Sequence, residues 1–306
     1  MVGPAPALGL RHEFVEANGL RFHLAACGGG ERLALCLHGF PECWYSWRHQ
    51  LPLLARLGYR VWAPDLRGYG ETDRPTHVAD YAIETLMDDV AGLIDASEAR
   101  STVLIAHDWG AVIAWFFAMR RLRPLERLVV MNAPHPAAAG PAFRTWRQRR
   151  RSWYALFFQI PWLPEKLIGA RGFRALDSVF RRSGARPDCF PEEVIAVYRE
   201  AAARPGAIKA MLDYYRALLR GGGLVRQREI GFPPIETPTL MVWGEDDIAL
   251  VKETTFGTEA FVRDLTVRYL PGVSHWVQQD APETVNAMLE AWLTERPVPE
   301  AAAPEG

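Results

Sequence analysis

The sequence predicts an α/β chain: a mostly parallel sheet with helices on both faces, interrupted by a long helical insertion. Three observations predict it. Short continuous apolar runs recur along the chain: Leu33–Leu37, Tyr59–Ala63, Val103–Ala106, Leu128–Met131, Thr239–Trp243 and Thr266–Leu270. Helical stretches separate them, which is the pattern of parallel strands buried on both faces. The alternation stops between about Pro134 and Pro234, where helical patterns continue without a strand. At 306 residues the chain is long enough for one large domain carrying such an insertion.

Taken in order, the first elements look antiparallel. Phe14–Ala17, Asn18-Gly19 and Leu20–Leu24 read as a hairpin with a type I′ turn. Three helices between the later strands are clear: Ile83–Ser97, Gly110–Arg121 and Pro282–Thr294. The insertion contains helical patterns at Trp153–Phe158, Glu192–Ala203 and Ile208–Arg220, and a proline-rich turn at Pro161–Pro164. It reads as a lid over the carboxyl ends of the strands, where open α/β sheets bind ligands. The expected division is a core of residues 1–134 and 235–306 and a cap of residues 135–234. The last ten residues, PVPEAAAPEG, are expected to form a disordered tail.

A net charge of -1 supplies no global field for nucleic acid or anionic membrane. The densest basic run, RTWRQRRR from Arg144 to Arg151, reads first as a solvated helix face. Its second reading is a phosphate-binding or membrane-surface segment. Cys27, Cys36, Cys43 and Cys189 form no CxxC and no zinc spacing with histidine, and they fit a reduced, cytoplasmic compartment. No signal-peptide pattern opens the sequence, and no apolar stretch approaches the roughly 20 residues that span a bilayer. A monomer or homodimer is equally compatible with the sequence.

The strongest chemical signal is VLIAHDWGA, residues 103–111. An apolar strand runs straight into a helix start, with Gly110 and Ala111 small where the two must approach. This is the pattern of a nucleophile elbow, in which a strained turn exposes one side chain above a sheet. Asp108 stands where serine is usual and Ala106 where the first glycine is usual. Taken alone, the aspartate is also a good helix cap. As a nucleophile it has a particular use. Serine attacking saturated carbon would give an inert ether, whereas a carboxylate gives an ester that water can reopen. Asp108 therefore predicts an sp³ electrophile such as an epoxide or a carbon–halogen bond.

Reopening the ester needs a base, an orienting acid and an oxyanion hole. His275 in GVSHW follows the last strand, and WGEDD (243–247) follows the strand before it. Chain order and strand-end position make His275 the base. Asp247 is the chosen acid, with Asp246 and Glu245 as rivals. The hole is expected from the N–H groups of Trp109 and Phe40, the latter in the turn His38-Gly39-Phe40-Pro41. There Gly39 lets the backbone bend, and Pro41 fixes the turn at a bond able to be cis. His38, Gly39 and Pro41 are expected to border the substrate. The lid aromatics Phe158 and Trp162 are expected there too, with Phe157 and Phe190 as further members of an apolar pocket.

HGFPECWYSWR (38–48), DLRGYGETD (65–73), HDWGAVIAW (107–115), WGEDD and GVSHW together resemble the epoxide hydrolases of the α/β-hydrolase fold. The resemblance runs from about residue 12 to 294, and five motifs fall in order. It looks closest to the soluble-type enzymes, without a phosphatase domain or membrane anchor. It implies an eight-stranded, mostly parallel sheet with a helical cap, and hydrolysis of a small apolar epoxide to a vicinal diol. Water is the second substrate, and neither metal nor organic cofactor is implied. It also implies two lid tyrosines that polarise the epoxide oxygen. WYALFFQIP (153–161) places Tyr154 in the first role. LDYYR (212–216) places Tyr215 in the second, with Tyr214 as its neighbour and rival. Independently, ring opening develops alkoxide charge that a phenol can bind or protonate.

Haloalkane dehalogenases share the elbow aspartate and the tryptophan after it. Many also hold halide with an asparagine after HG, where this chain has Phe40; Trp153 or Trp162 would have to substitute. Haloacid enzymes of the fluoroacetate type carry arginine where Trp109 stands. A binding protein with a dead hydrolase fold is the reading of another class, which loss of nucleophile, acid or base would favour.

Overall fold

The computed structural model describes residues 9–184 and 187–301. Eight strands form one sheet: β1 (Arg11–Ala17), β2 (Leu20–Cys27), β3 (Arg32–Leu37), β4 (Tyr59–Pro64), β5 (Ser101–His107), β6 (Arg127–Met131), β7 (Thr239–Gly244) and β8 (Leu265–Leu270). Their order is β1-β2-β4-β3-β5-β6-β7-β8, with β2 antiparallel to both its neighbours β1 and β4 and the other pairings parallel. Asn18 and Gly19 both take positive φ, 46° and 72°, as a type I′ turn requires.

The sheet is buried on both faces, and period-two alternation shows how. Leu33, Leu35 and Leu37 of β3 pack with α2 (Ile83–Ser97) and α3 (Trp109–Arg120). Ala34 and Cys36 of the same strand face the opposite layer, built on α1 (Leu51–Arg56) and α12 (Pro282–Leu293). An all-apolar strand thus feeds two separate cores. Gly110 allows α3 to begin directly against β3: a Cβ there would meet the Leu37 carbonyl oxygen at 2.3 Å. That close approach aims the end of β5 at the sheet's carboxyl edge.

Between β6 and β7 the chain is helical: α4 (Gly140–Phe143), α5 (Trp146–Arg151), α6 (Trp153–Phe157), α7 (Leu163–Ser183), α8 (Glu192–Ala203), α9 (Ala207–Leu219) and α10 (Gly223–Ile230). A last short helix, α11 (Val277–Asp280), precedes α12. The helix α7 has no counterpart in the sequence reading. It is interrupted at Ala170–Phe173, where three residues take positive φ, so no continuous 3.6-residue period runs through it. The helical cap is tied to the core by polar contacts. Tyr198 donates to Gln279 at 2.6 Å, and Arg226 clamps both oxygens of Glu84.

One expectation fails at the C-terminus. Val298 is buried against the α12 layer, and Arg268 of β8 donates to the carbonyls of Val298 and Pro299 at 2.7 and 3.0 Å. The tail is therefore held down as far as residue 301, because the β8 guanidinium needs acceptors and α12 leaves an apolar slot beside it. Residues 302–306 of the expected tail, like the first eight residues, lie outside the described ones. Among the described residues no helix is long and apolar enough to cross a membrane.

Candidate active site

Five loops at the carboxyl ends of β3, β5, β6, β7 and β8 meet beneath the cap. Asp108 sits between β5 and α3 with φ 47° and ψ −117°, a strained conformation for a residue with a Cβ. Its side chain makes no cap bond to α3. It turns to the cavity instead, where Oδ1 accepts the Phe40 N–H at 2.7 Å and Oδ2 lies 3.5 Å from His275 Nε2. The Trp109 N–H opens α3, where a helix offers it no internal acceptor. Phe40 thus gives one backbone donor to the carboxylate, and the Trp109 N–H stands next along the chain at the start of α3.

His275 is oriented from behind. Its Nδ1 lies 2.6 Å from Oδ2 of the fully buried Asp247. Asp247 is itself held by Asn132 at 2.8 Å and by the N–H groups of Ala249 and Leu250 at 2.7 and 2.9 Å. The rivals are excluded by position: Asp246 is exposed, and Glu245 pairs with Lys252.

The electrostatics follow from this line of charges. Burial opposes ionisation of Asp108 and Asp247, but the imidazole between them outweighs it and holds both carboxyls below their ordinary range. Burial likewise works against a charged His275. The two carboxylates outweigh that too and raise the imidazole well above its ordinary value. The two carboxylates thus favour the charged form of the imidazole between them.

Above Asp108 lies a cavity of about 650 Å³, lined by Phe40, Tyr154, Phe158, Tyr215, His275 and Trp276 and widening past Trp146, Arg150 and Trp153 to solvent. The Tyr154 and Tyr215 rings meet edge to face at 6.0 Å. Burial and the nearby Asp108 charge push both phenols up, Tyr154 also answering to Asp247, so they stay protonated. Tyr214, the rival, is fully buried away from the cavity and donates to the Arg67 carbonyl at 2.8 Å. Helix periodicity decides the pair, since adjacent residues on α9 face about 100° apart. Among the described residues, no group of three or more His, Cys, Asp or Glu could hold a metal ion.

Several sequence expectations need correction. His38 does not border the cavity: it is fully buried, its Nδ1 meeting the Gly39 carbonyl at 2.9 Å and its Nε2 accepting the Leu66 N–H at 3.0 Å. It fastens the loop after β3 to the loop after β4. Trp162 is 67% exposed and outside the cavity, because it starts α7 with its backbone at φ 55°. Pro41, behind a cis Phe40–Pro41 bond, is buried and also outside the lining. Phe190 is buried in the cap core, and neither it nor Phe157 lines the cavity, whereas Phe158 does.

Gly39 is required for a different reason from the one expected. Its φ is not positive, but a Cβ on it would fall 2.3 Å from Asp108 Cβ and 2.4 Å from Oδ1. Gly39→Ala is therefore expected to lose about 10²-fold or more in kcat by displacing Asp108 and its carboxylate. Steady-state kinetics beside a thermal melt checks it; near-normal kcat would show that the loop gives way instead.

Sequence reasoning missed a second tier. Glu42 and His107 pair at 2.9 Å in full burial, and His107 Nε2 lies 2.8 Å from the His275 carbonyl. Glu42 also accepts the Gly39 N–H at 3.0 Å and Gln279 at 2.7 Å. The pair thus ties the backbone of His275 to the loop bearing Phe40. One signal existed, a histidine closing the otherwise apolar run VLIAH. Arg216 does similar work in the cap, donating to the carbonyls of Phe158 and Ile160 at 2.9 Å each, which holds the Tyr154 segment against α9.

A carboxylate on a strand–helix elbow, with a His–Asp pair and a backbone N–H beside it, is the layout of a hydrolase site on an α/β sheet. The comparisons with known proteins agree. The family model described as alpha/beta hydrolase fold matches residues 35–282. The chain is 35% identical to Epoxide hydrolase 2 of Caenorhabditis elegans, covering 94% of this chain and 82% of that one. It is 37% identical to human Epoxide hydrolase 4, covering 95% and 80%. The epoxide hydrolase of Bacillus megaterium, solved with an inhibitor, superposes with a TM-score of 0.84 at 29% identity, covering 92% of this chain and all of that one. The chain belongs to the epoxide hydrolases of the α/β-hydrolase fold.

Proposed function

We propose that this protein hydrolyses a small apolar epoxide to a vicinal diol through an ester on Asp108, with residues 135–234 closing the site as a cap. The observation that carries the reading is the pair of protonated cavity phenols, Tyr154 and Tyr215, facing a carboxylate nucleophile. The Oδ1 atom of Asp108 is held by Phe40 N–H, so it stays behind as the carbonyl oxygen, and Oδ2 attacks the epoxide carbon. The breaking C–O bond leaves its electrons on oxygen, which takes a hydrogen bond and then a proton from the phenols. Water next attacks the ester carbonyl while His275, steadied by Asp247, takes its proton. The charge on Oδ1 is met by the N–H groups of Phe40 and Trp109; its collapse breaks the ester C–O bond, the diol oxygen leaves with the proton held by His275, and the proton of the regenerated carboxyl returns to the phenolate. Four free cysteines fit a cytoplasmic setting.

The dehalogenase reading keeps Trp109 as one halide donor but lacks the second. Trp153 is 61% exposed at the mouth and Trp162 lies outside the cavity. The position after Gly39 offers a phenyl ring. The dead-fold reading is disfavoured by the assembled nucleophile, base and acid. Single turnover in oxygen-18 water tests the route: the first diol should carry little label and Asp108 should carry it. A fully labelled first diol would mean direct attack by water.

The charges also set a pH dependence. Asp108 is below the ordinary carboxylate range, so alkylation persists into acid. His275 acts as a base only when neutral. Esterification removes one of the two charges that raise it, and Asp247 still holds it up. Ester hydrolysis is therefore expected to fall already as pH drops from alkali through the raised range of His275, while alkylation continues, so ester accumulates as the medium is acidified. Acid-quench mass measurements across pH check this; ester accumulating only in alkali would reverse the assignment.

A further inference from the structure

The basic run from Arg144 to Arg151 is not used by the chemistry, and the structure places it around the mouth of the cavity. Trp146, Arg147, Arg150 and Trp153 all line that mouth. Trp146 is 75% exposed, Trp153 61% and Leu156, one turn further on, 72%. Five arginines lie between residues 144 and 151, and no aspartate or glutamate occurs between Glu126 and Glu165. Arg151 turns inward to the carbonyls of Asp247 and Leu250, and Arg147 pairs with Glu253 at 2.7 Å. Among the described residues Arg144, Arg149 and Arg150 have no acidic partner.

We infer that this face of the cap, formed by α5 and α6, docks on an anionic lipid surface, with the cavity mouth against the bilayer. Exposed tryptophans interleaved with arginines suit a boundary with hydrocarbon on one side and charged headgroups on the other. The cations meet lipid phosphates and carboxylates, and the indoles and Leu156 enter the headgroup layer. A chain of net charge -1 concentrates this cationic patch at one place, so attraction orients the molecule with its mouth to the surface. A second copy fits the patch less well. A two-fold contact would set arginine against arginine, since α5 and α6 carry no carboxylate of their own and Glu253 is already paired with Arg147. Docking does not depend on the chemistry proposed above; the consequence that the cavity draws an apolar epoxide directly from the bilayer does rest on it.

The test is cosedimentation with phosphatidylcholine vesicles with and without phosphatidylserine, at low and high salt. Binding is expected only with phosphatidylserine and should weaken with salt. Arg144 and Arg149 lie outside the cavity lining, so Arg144→Gln/Arg149→Gln should weaken partitioning about thirtyfold. Leu156→Gln should also weaken it. Both variants should keep the parent turnover of styrene oxide, which shows that they fold. Failure of the parent to sediment with phosphatidylserine vesicles at low salt would overturn the proposal, as would undiminished binding by both variants. A concentration-dependent dimer that Leu156→Gln dissolves, without vesicle binding, would assign the face to self-association. Because sedimentation reads no turnover, its failure leaves the epoxide reading standing, and loss of that reading leaves the docking result intact.

Discussion

Replacing His275 by glutamine is expected to leave Asp108 esterified by the first substrate molecule, with turnover reduced by about 10⁴-fold. The two steps ask different things of the site. Attack on the epoxide needs an ionised Asp108, the cavity phenols and an open path. None of these requires His275 as a proton acceptor. Glutamine keeps a polar group of similar reach near Asp108 and Asp247, so the carboxylates are not left facing an apolar surface. Release of the ester needs a group that removes a proton from water, and an amide does not. Intact-mass measurement after mixing enzyme with one equivalent of epoxide should show the protein heavier by the mass of the substrate, on the peptide containing Asp108. An unmodified protein with equally low turnover would mean that His275 serves the first step, and the assignment of the base would fall.

Replacing both Tyr154 and Tyr215 by phenylalanine is expected to lower the alkylation rate by about 10³–10⁴-fold, with little change in the release of a preformed ester. The two rings meet edge to face at 6.0 Å, with Tyr215 against Phe40 and Trp109 and Tyr154 against Phe158, in an apolar pocket that screens their hydroxyls little. In such surroundings two donors to a developing alkoxide are worth far more than in water, and without them the leaving oxygen must depart as a bare anion. Each single replacement leaves one donor and should cost less than half the double effect on a logarithmic scale. Rapid-quench measurement of alkylation beside hydrolysis of the ester separates the steps. Near-normal alkylation in the double variant would return both residues to plain cap packing.

The sequence by itself determined the sheet and the charged line of the site. Continuous apolar runs place strands because a strand covered on both faces has no polar side, and β3, β5 and β7 follow that rule almost residue by residue. The position of Asp108 between a strand and a helix, and of Asp247 and His275 just past later strands, was legible because all parallel strands end on one edge. Distance along the chain therefore did not matter. What the sequence left open was decided by direction and neighbours. Asp247 was separated from Asp246 by which one enters the crevice to meet Asn132, a partner 115 residues away. Tyr215 was separated from Tyr214 by which side of α9 faces the cavity, and only packing against the core sets the rotation of a helix. The Glu42–His107 brace, the interrupted α7 and the anchored tail were invisible for the same reason. Their partners lie on remote segments, and a pattern of residue types along one chain records which groups want company but not which groups will provide it.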